Sequence, residues 1–168
     1  ALEFKSAKGI YLHGSDGKKY MDLISGISVS NLGHGNAKIN AAIKKQLGKH
    51  SYLMVYGEYV VAPQVEYASL LVRHLPKKLN NVYFISSGSE AVEGALKLAK
   101  RYTGRTEIIS FKNAYHGSTH GALSVMGNEE FKQAFRPLLP DVKQIEFNSE
   151  KHLEQITSKT ACLIVEPV

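Results

Sequence analysis

The chain is 168 residues long, 43% hydrophobic and 21% charged, with a formal net charge of +6. That length is enough to bury one proper core, and no apolar run approaches the ~18 residues a bilayer-spanning helix needs. The positive balance suits small acidic ligands better than nucleic acid. Its lysines are scattered (Lys44, Lys45 and Lys49 on one expected helix, Lys97 and Lys100 on another), without aromatic–basic interleaving, and read as solvated helix faces. Neither nucleic acid nor a membrane is an expected partner. The single Cys162 cannot form an internal disulfide and no signal peptide is read at the N-terminus, so a reducing, cytoplasmic setting is expected.

The first elements read as a small β-unit. Two β-like runs, Ile10 to His13 and Lys19 to Ile24, flank Asp16-Gly17, a strong hairpin signal. A polar loop follows. From about Asn36, Ile39, Ala42, Ile43 and Leu47 recur at helical spacing. Residues Ser51 to Val60 are aromatic-rich and irregular. Pro63 then suits the first turn of a helix running to Leu75, with Val65, Ala68, Leu71, Val72 and Leu75 as its inner stripe.

From Asn81 the rhythm becomes regular. Val82–Ser86 is strand-like, Glu90–Tyr102 helical and Glu107–Phe111 strand-like; a Gly-containing loop and short helices follow. Val142–Phe147 is again strand-like, Ser149–Lys159 helical, and Ala161–Val165 a buried strand. Almost continuously apolar strands alternating with helices predict an α/β fold, a mainly parallel sheet with helices on both faces. The boundary between the N-terminal β-hairpin/helix unit and this section is expected around residues 50 to 60. The sequence stops at "LIVEPV", where a ligand-facing loop is expected, so it reads as cut after a strand.

In such a sheet, ligands bind at the carboxyl ends of the strands. Three of those ends carry chemistry: "SSGSEA", "KNAYHGSTHG" and "EP". At "SSGSEA" a helix N-terminus presents free N–H groups and a partial positive charge. Gly88 permits close backbone approach, and Ser87 and Ser89 add hydroxyls, a cup suited to phosphate. A plainer reading makes Ser89 an ordinary N-cap and Gly88 only a turn. The GxGxxG and GxxxxGK[ST] cradles are absent, and so is Gly-x-Ser-x-Gly. In the second loop Tyr115 could stack on a flat cofactor and His116 could hydrogen-bond or shuttle a proton. His116 and His120 are four apart, but Gly117 and Gly121 weaken a helix and no third ligand is evident, so no metal is expected.

Together these pieces resemble the N-terminal part of the class III aminotransferases, pyridoxal-phosphate enzymes of the aspartate-aminotransferase fold (fold type I). The resemblance runs nearly the whole chain. It rests on "DGKKYMDLISGISVSNLGHGNAKINAAIKKQL", "FISSGSEAVEGALKLAKRYTGR", "NAYHGST" and "IVEPV". It implies that residues 1–50 are part of the small domain and 51–168 the first part of the cofactor-binding large domain.

By this resemblance Ser87, Gly88 and Ser89 would surround the phosphate of pyridoxal 5'-phosphate, Tyr115 would stack on its ring, His116 would support that stack, and Glu166 would lie beside it. Ile27 would line the substrate pocket, and Tyr56 would be lent to a neighbouring active site across a homodimer interface. The implied reaction moves an amino group from an amine or amino acid donor to a 2-oxo acid. An aminomutase of the glutamate-1-semialdehyde type, or a non-catalytic phosphate-binding α/β module, is the alternative. The family's Schiff-base lysine and ring-nitrogen aspartate would lie beyond Val168, so this stretch is not expected to catalyse alone. Lys97 and Lys100 follow the phosphate turn and are no substitutes. Members acting on acetylornithine or ornithine often carry arginine after "HG"; here the residue is Ser118, which leaves the donor open.

Overall fold

A computed structural model describes residues 2–50, 57 and 59–167. The chain forms two compact units, Ala1–Asn80 and Asn81–Val168.

The first unit opens with three antiparallel strands in the order β1 (Phe4–Lys8), β2 (Tyr11–Gly14), β3 (Lys19–Met21). Lys8 pairs with Tyr11, so Gly9-Ile10 is a two-residue hairpin loop, with Gly9 at φ 59. That first strand is not expected from the sequence, which signals a hairpin only at Asp16-Gly17. The expected second hairpin is present: Asp16 accepts from Lys18 N–H at 3.0 Å and from Tyr20 O–H at 2.7 Å, and Gly17 supplies φ 79.

After a short turn, α1 (Ser25–Ser28), comes α2 (Ala37–His50). Asn36 caps α2, its Oδ1 accepting from Lys38 and Ile39 N–H. Helix α3 (Ala62–Arg73) carries Pro63 in its first turn, as the sequence implies. Its expected inner stripe is only partly covered: Ala68, Leu71 and Val72 are half-buried, whereas Val65 and Leu75 are exposed.

The second unit is a parallel sheet ordered β5 (Val142–Ile145), β4 (Glu107–Phe111), β6 (Thr160–Leu163), with helices α4 (Gly88–Thr103), α5 (His120–Val125) and α6 (Glu150–Leu153). Every residue of β4 is buried, as befits the central strand. Alternation splits the core between its two faces. Ile108 packs with Leu96 of α4 and Val125 of α5; Ile109 and Phe111 cluster with Ile145 and Ala114. Gly104 ends α4 in the left-handed conformation at φ 68, with Lys100 and Arg101 in the last turn.

Two expected elements differ. Residues 82–86 join no strand ladder among the described residues: β4 is paired on both sides, and neither β5 nor β6 takes them on its outer edge. Tyr83 instead lies over α4, its ring 3.7 Å from where a β-carbon at Gly94 would stand. The expected helix Ser149–Lys159 shrinks to the single turn of α6. Beyond it, Thr160 Oγ1 takes the Thr157 N–H, a side-chain acceptor replacing the helical carbonyl.

Candidate functional site

The N-terminus of α4 is built by its own sequence. Ser87, extended at φ −150, is the cap; its hydroxyl accepts from Glu90 N–H at 3.2 Å, and Glu90 Oε2 reaches back to Ser86 N–H at 2.7 Å. The cap is therefore Ser87, not Ser89. Gly88 and Ser89 occupy the first two helical positions, whose N–H groups have no intrahelical acceptor. Nothing stands within 4 Å of the β-carbon position of Gly88, so the space beside it is open.

Release from capping leaves Ser89 for another task. Its Oγ accepts from Ser118 N–H at 3.2 Å, in the loop after β4. Because a lone pair serves Ser118, the Ser89 O–H hydrogen stays available to an acceptor above the helix end. Gly117, buried at φ 121, makes this approach possible: a β-carbon there would sit 2.2 Å from Ser89 Oγ.

The same loop carries the aromatic residue. Tyr115 is 56% exposed, its N–H donating to Glu166 Oε2 at 2.9 Å and its hydroxyl 3.2 Å from Ser118 Oγ. Glu166 arrives from beyond the end of β6, so the "SSGSEA", "YHG" and "EP" segments meet here. His116 is only 8% exposed, and its Nε2 has no hydrogen-bond partner among the described residues. Burial holds its pKa below the usual 6.5, partly opposed by the charge of Glu166, so the ring is neutral at pH 7.

Open donors at a helix N-terminus, a hydroxyl with a free hydrogen and a half-exposed phenol face fit a phosphate-bearing aromatic ligand. Of the anticipated residues, Ser89, Tyr115 and Glu166 join one hydrogen-bonded chain through Ser118; Ser87 shapes it as a cap, and Gly88 and His116 flank it. Ser118, Gly117 and Glu93 were not anticipated as members. Their partners lie 26 to 29 residues away in sequence, beyond any local pattern.

Ile27 belongs to the other unit. It is 86% exposed, within α1, where Ser25, Gly26, Ile27 and Ser28 all have φ between 52 and 64. This left-handed turn is tied down by Asp22, which accepts from Ser25 N–H at 2.8 Å and pairs with His34 Nε2 at 2.7 Å. A β-branched residue in that conformation is strained, a condition that clusters at functional sites. Tyr56 lies outside the described residues.

The sequence matches the family model for the class III aminotransferases over residues 1–168. The chain belongs to that family. It is 40% identical over 164 residues to an acetylornithine aminotransferase of Methanopyrus kandleri, covering 96% of this chain and 41% of that protein. It is 43% identical over 170 residues to a putative [LysW]-aminoadipate semialdehyde/glutamate semialdehyde transaminase of Pyrococcus abyssi, with 99% and 45% covered. This class III chain thus spans less than half the length of these curated relatives. Its fold matches a PLP-bound amine transaminase from an uncultivated Pseudomonas species at TM-score 0.82 and 31% identity, over 87% of this chain and 34% of that one. No described helix is long and apolar enough to cross a membrane.

Proposed function

We propose that this protein binds pyridoxal 5'-phosphate and transfers an amino group between an amine or amino acid donor and a 2-oxo acid. The observation that carries the reading is the chain Ser89–Ser118–Tyr115–Glu166, which gathers the start of α4, the loop after β4 and the segment after β6. Family membership and the transaminase names of its relatives support it.

The N–H groups of Gly88 and Ser89, with the Ser89 hydroxyl, bind the phosphate, and Ser87 keeps that helix end in shape. Tyr115 covers the ring face, with His116 as a neutral support behind it. Glu166 orients the Tyr115 backbone through its N–H. The bound cofactor supplies an electron sink for the carbon that loses its proton. Ile27 contributes to the substrate pocket, and Tyr56 to a site shared across a homodimer. A cytoplasmic setting accords with the lone Cys162.

The test is a titration of the cofactor-free, full-length protein with pyridoxal phosphate, followed by a panel of amino donors that includes acetylornithine. A visible absorption band that shifts with a donor, together with release of the matching oxo product, is the expected result. Failure to develop the band would sink the reading. A band that shifts while the donor is isomerised, without oxo-acid consumption, would favour the aminomutase.

A further inference from the structure

Glu93 lies on the second turn of α4, and its carboxylate turns towards the protein. Its Oε1 accepts three hydrogen bonds: from Thr119 Oγ1 at 2.7 Å, Gly121 N–H at 2.7 Å and Ala122 N–H at 3.1 Å. Gly121 and Ala122 open α5, where N–H groups lack an intrahelical acceptor. Thr119 stands at the cap position of α5 but makes no capping bond of its own. Its hydroxyl goes to Glu93 instead, so a side chain from a different helix caps α5. The fit is close: a β-carbon at Gly121 would meet Glu93 Oε2 at 2.2 Å. Burial pushes the Glu93 carboxyl up, but the bonds from Thr119, Ala122 and Gly121 together outweigh it and keep the group ionised at neutral pH.

Ser89 and Glu93 are four apart, hence on one face of α4. One turn offers an acceptor to Ser118 N–H, and the next offers an acceptor to Thr119 and the start of α5. The loop bearing Tyr115 and His116 is thereby pinned at its downstream end to the helix whose N-terminus forms the cup.

We propose that Glu93 is a positioning residue of the cofactor site, fixing the Tyr115–Thr119 loop against the N–H groups of Gly88 and Ser89 without itself touching the ligand. The inference rests on the pyridoxal phosphate reading above. A residue that only glued α5 to α4 would affect melting and nothing else; a positioning residue also sets how tightly, and in what orientation, the ring is held.

The test uses cofactor-free, full-length protein as wild type, Glu93→Gln, Glu93→Ala and Thr119→Val. Each is titrated with pyridoxal phosphate at a temperature where its melting curve shows it folded, and the induced circular dichroism of the bound cofactor is recorded. Glu93→Gln is expected to weaken binding roughly tenfold, since bonds to a charged acceptor become bonds to a neutral one. Its dichroic band should shrink, and Glu93→Ala should do worse. Binding and band unchanged in Glu93→Gln and Thr119→Val, even with lowered melting temperatures, would overturn the inference; those two decide if Glu93→Ala does not fold. Wild type that fails to bind would overturn the pyridoxal phosphate reading and this inference with it, whereas wild type that binds beside indifferent variants overturns this inference alone.

Discussion

Gly117 and Ser89 meet so closely that a β-carbon on residue 117 would lie 2.2 Å from Ser89 Oγ, 2.9 Å from its Cβ and 3.0 Å from its Cα. Two separate facts demand glycine there: the contact, and a φ of 121 that side chains rarely adopt. Gly117→Ala should cost roughly 1–3 kcal/mol of stability and weaken pyridoxal phosphate binding, because the loop must lift off α4. Adding Ser89→Ala should not restore the protein, since the Ser89 Cβ and Cα still stand in the way. Denaturant midpoints and a cofactor titration check both statements.

Tyr115 is half-exposed and contributes little to the core. Tyr115→Ala should therefore leave the denaturation midpoint within about 0.5 kcal/mol of wild type, the usual range for surface changes. Loss of stacking should still weaken cofactor retention by roughly tenfold. Tyr115→Phe keeps the ring but loses the link to Ser118, and should fall between. An unchanged affinity in Tyr115→Ala would rule out the stacking role.

The titrating groups give stability a definite pH shape. His116 has a folded pKa below 6.5, so between that value and 6.5 the unfolded chain binds more protons. Its contribution is complete above pH 6.5 and declines as pH falls from there. Glu107 follows the same sign lower down. Lys143, 2.5 Å away, and the Thr160 hydroxyl hold its carboxyl below 4.5, so its contribution is lost as pH falls under about that point. Urea midpoints from pH 2 to 8 should show both declines. His116→Gln should flatten the upper one, and Glu107→Gln should lessen the lower one, which Glu93, Glu129 and Glu146 share.

Ile27 combines 86% exposure with φ 59 and ψ 58. Ile27→Gly removes a left-handed penalty of ~1–2 kcal/mol and loses almost no packing, partly offset by glycine's greater unfolded entropy. A net gain of roughly 0.5–1 kcal/mol is expected in chemical denaturation. If Ile27 also lines the substrate pocket, the same variant should raise the KM for the amino donor while stability improves. An unchanged KM would confine Ile27 to the turn.

Much of the fold was legible because local chemistry and pattern agreed. Asp16-Gly17, Pro63 and the apolar runs of β4 to β6 each signal through neighbours a few residues away. Val82–Ser86 misled because an apolar run states a preference for burial, whereas a ladder also requires a partner strand in register, which the run itself does not specify. The helix after Ser149 fell short because Thr160, eleven residues on, competes for the backbone. In the candidate site, Ser89, Tyr115 and Glu166 stood out as residue types at strand ends, but their hydrogen bonds and the roles of Ser118 and Glu93 did not.

By itself, then, the sequence determined most of the elements, the placement of "YHG" and "EP" after strands and of "SSGSEA" at a helix start, and the family. Helix caps, turns and hydrophobic periodicity act over a handful of residues and are written in composition. Only the tertiary structure decided that Ser89 serves the loop after β4, and that one carboxylate of α4 caps a helix almost thirty residues away. Those outcomes depend on which buried donors are left without partners once the sheet has packed, and no local window contains that information.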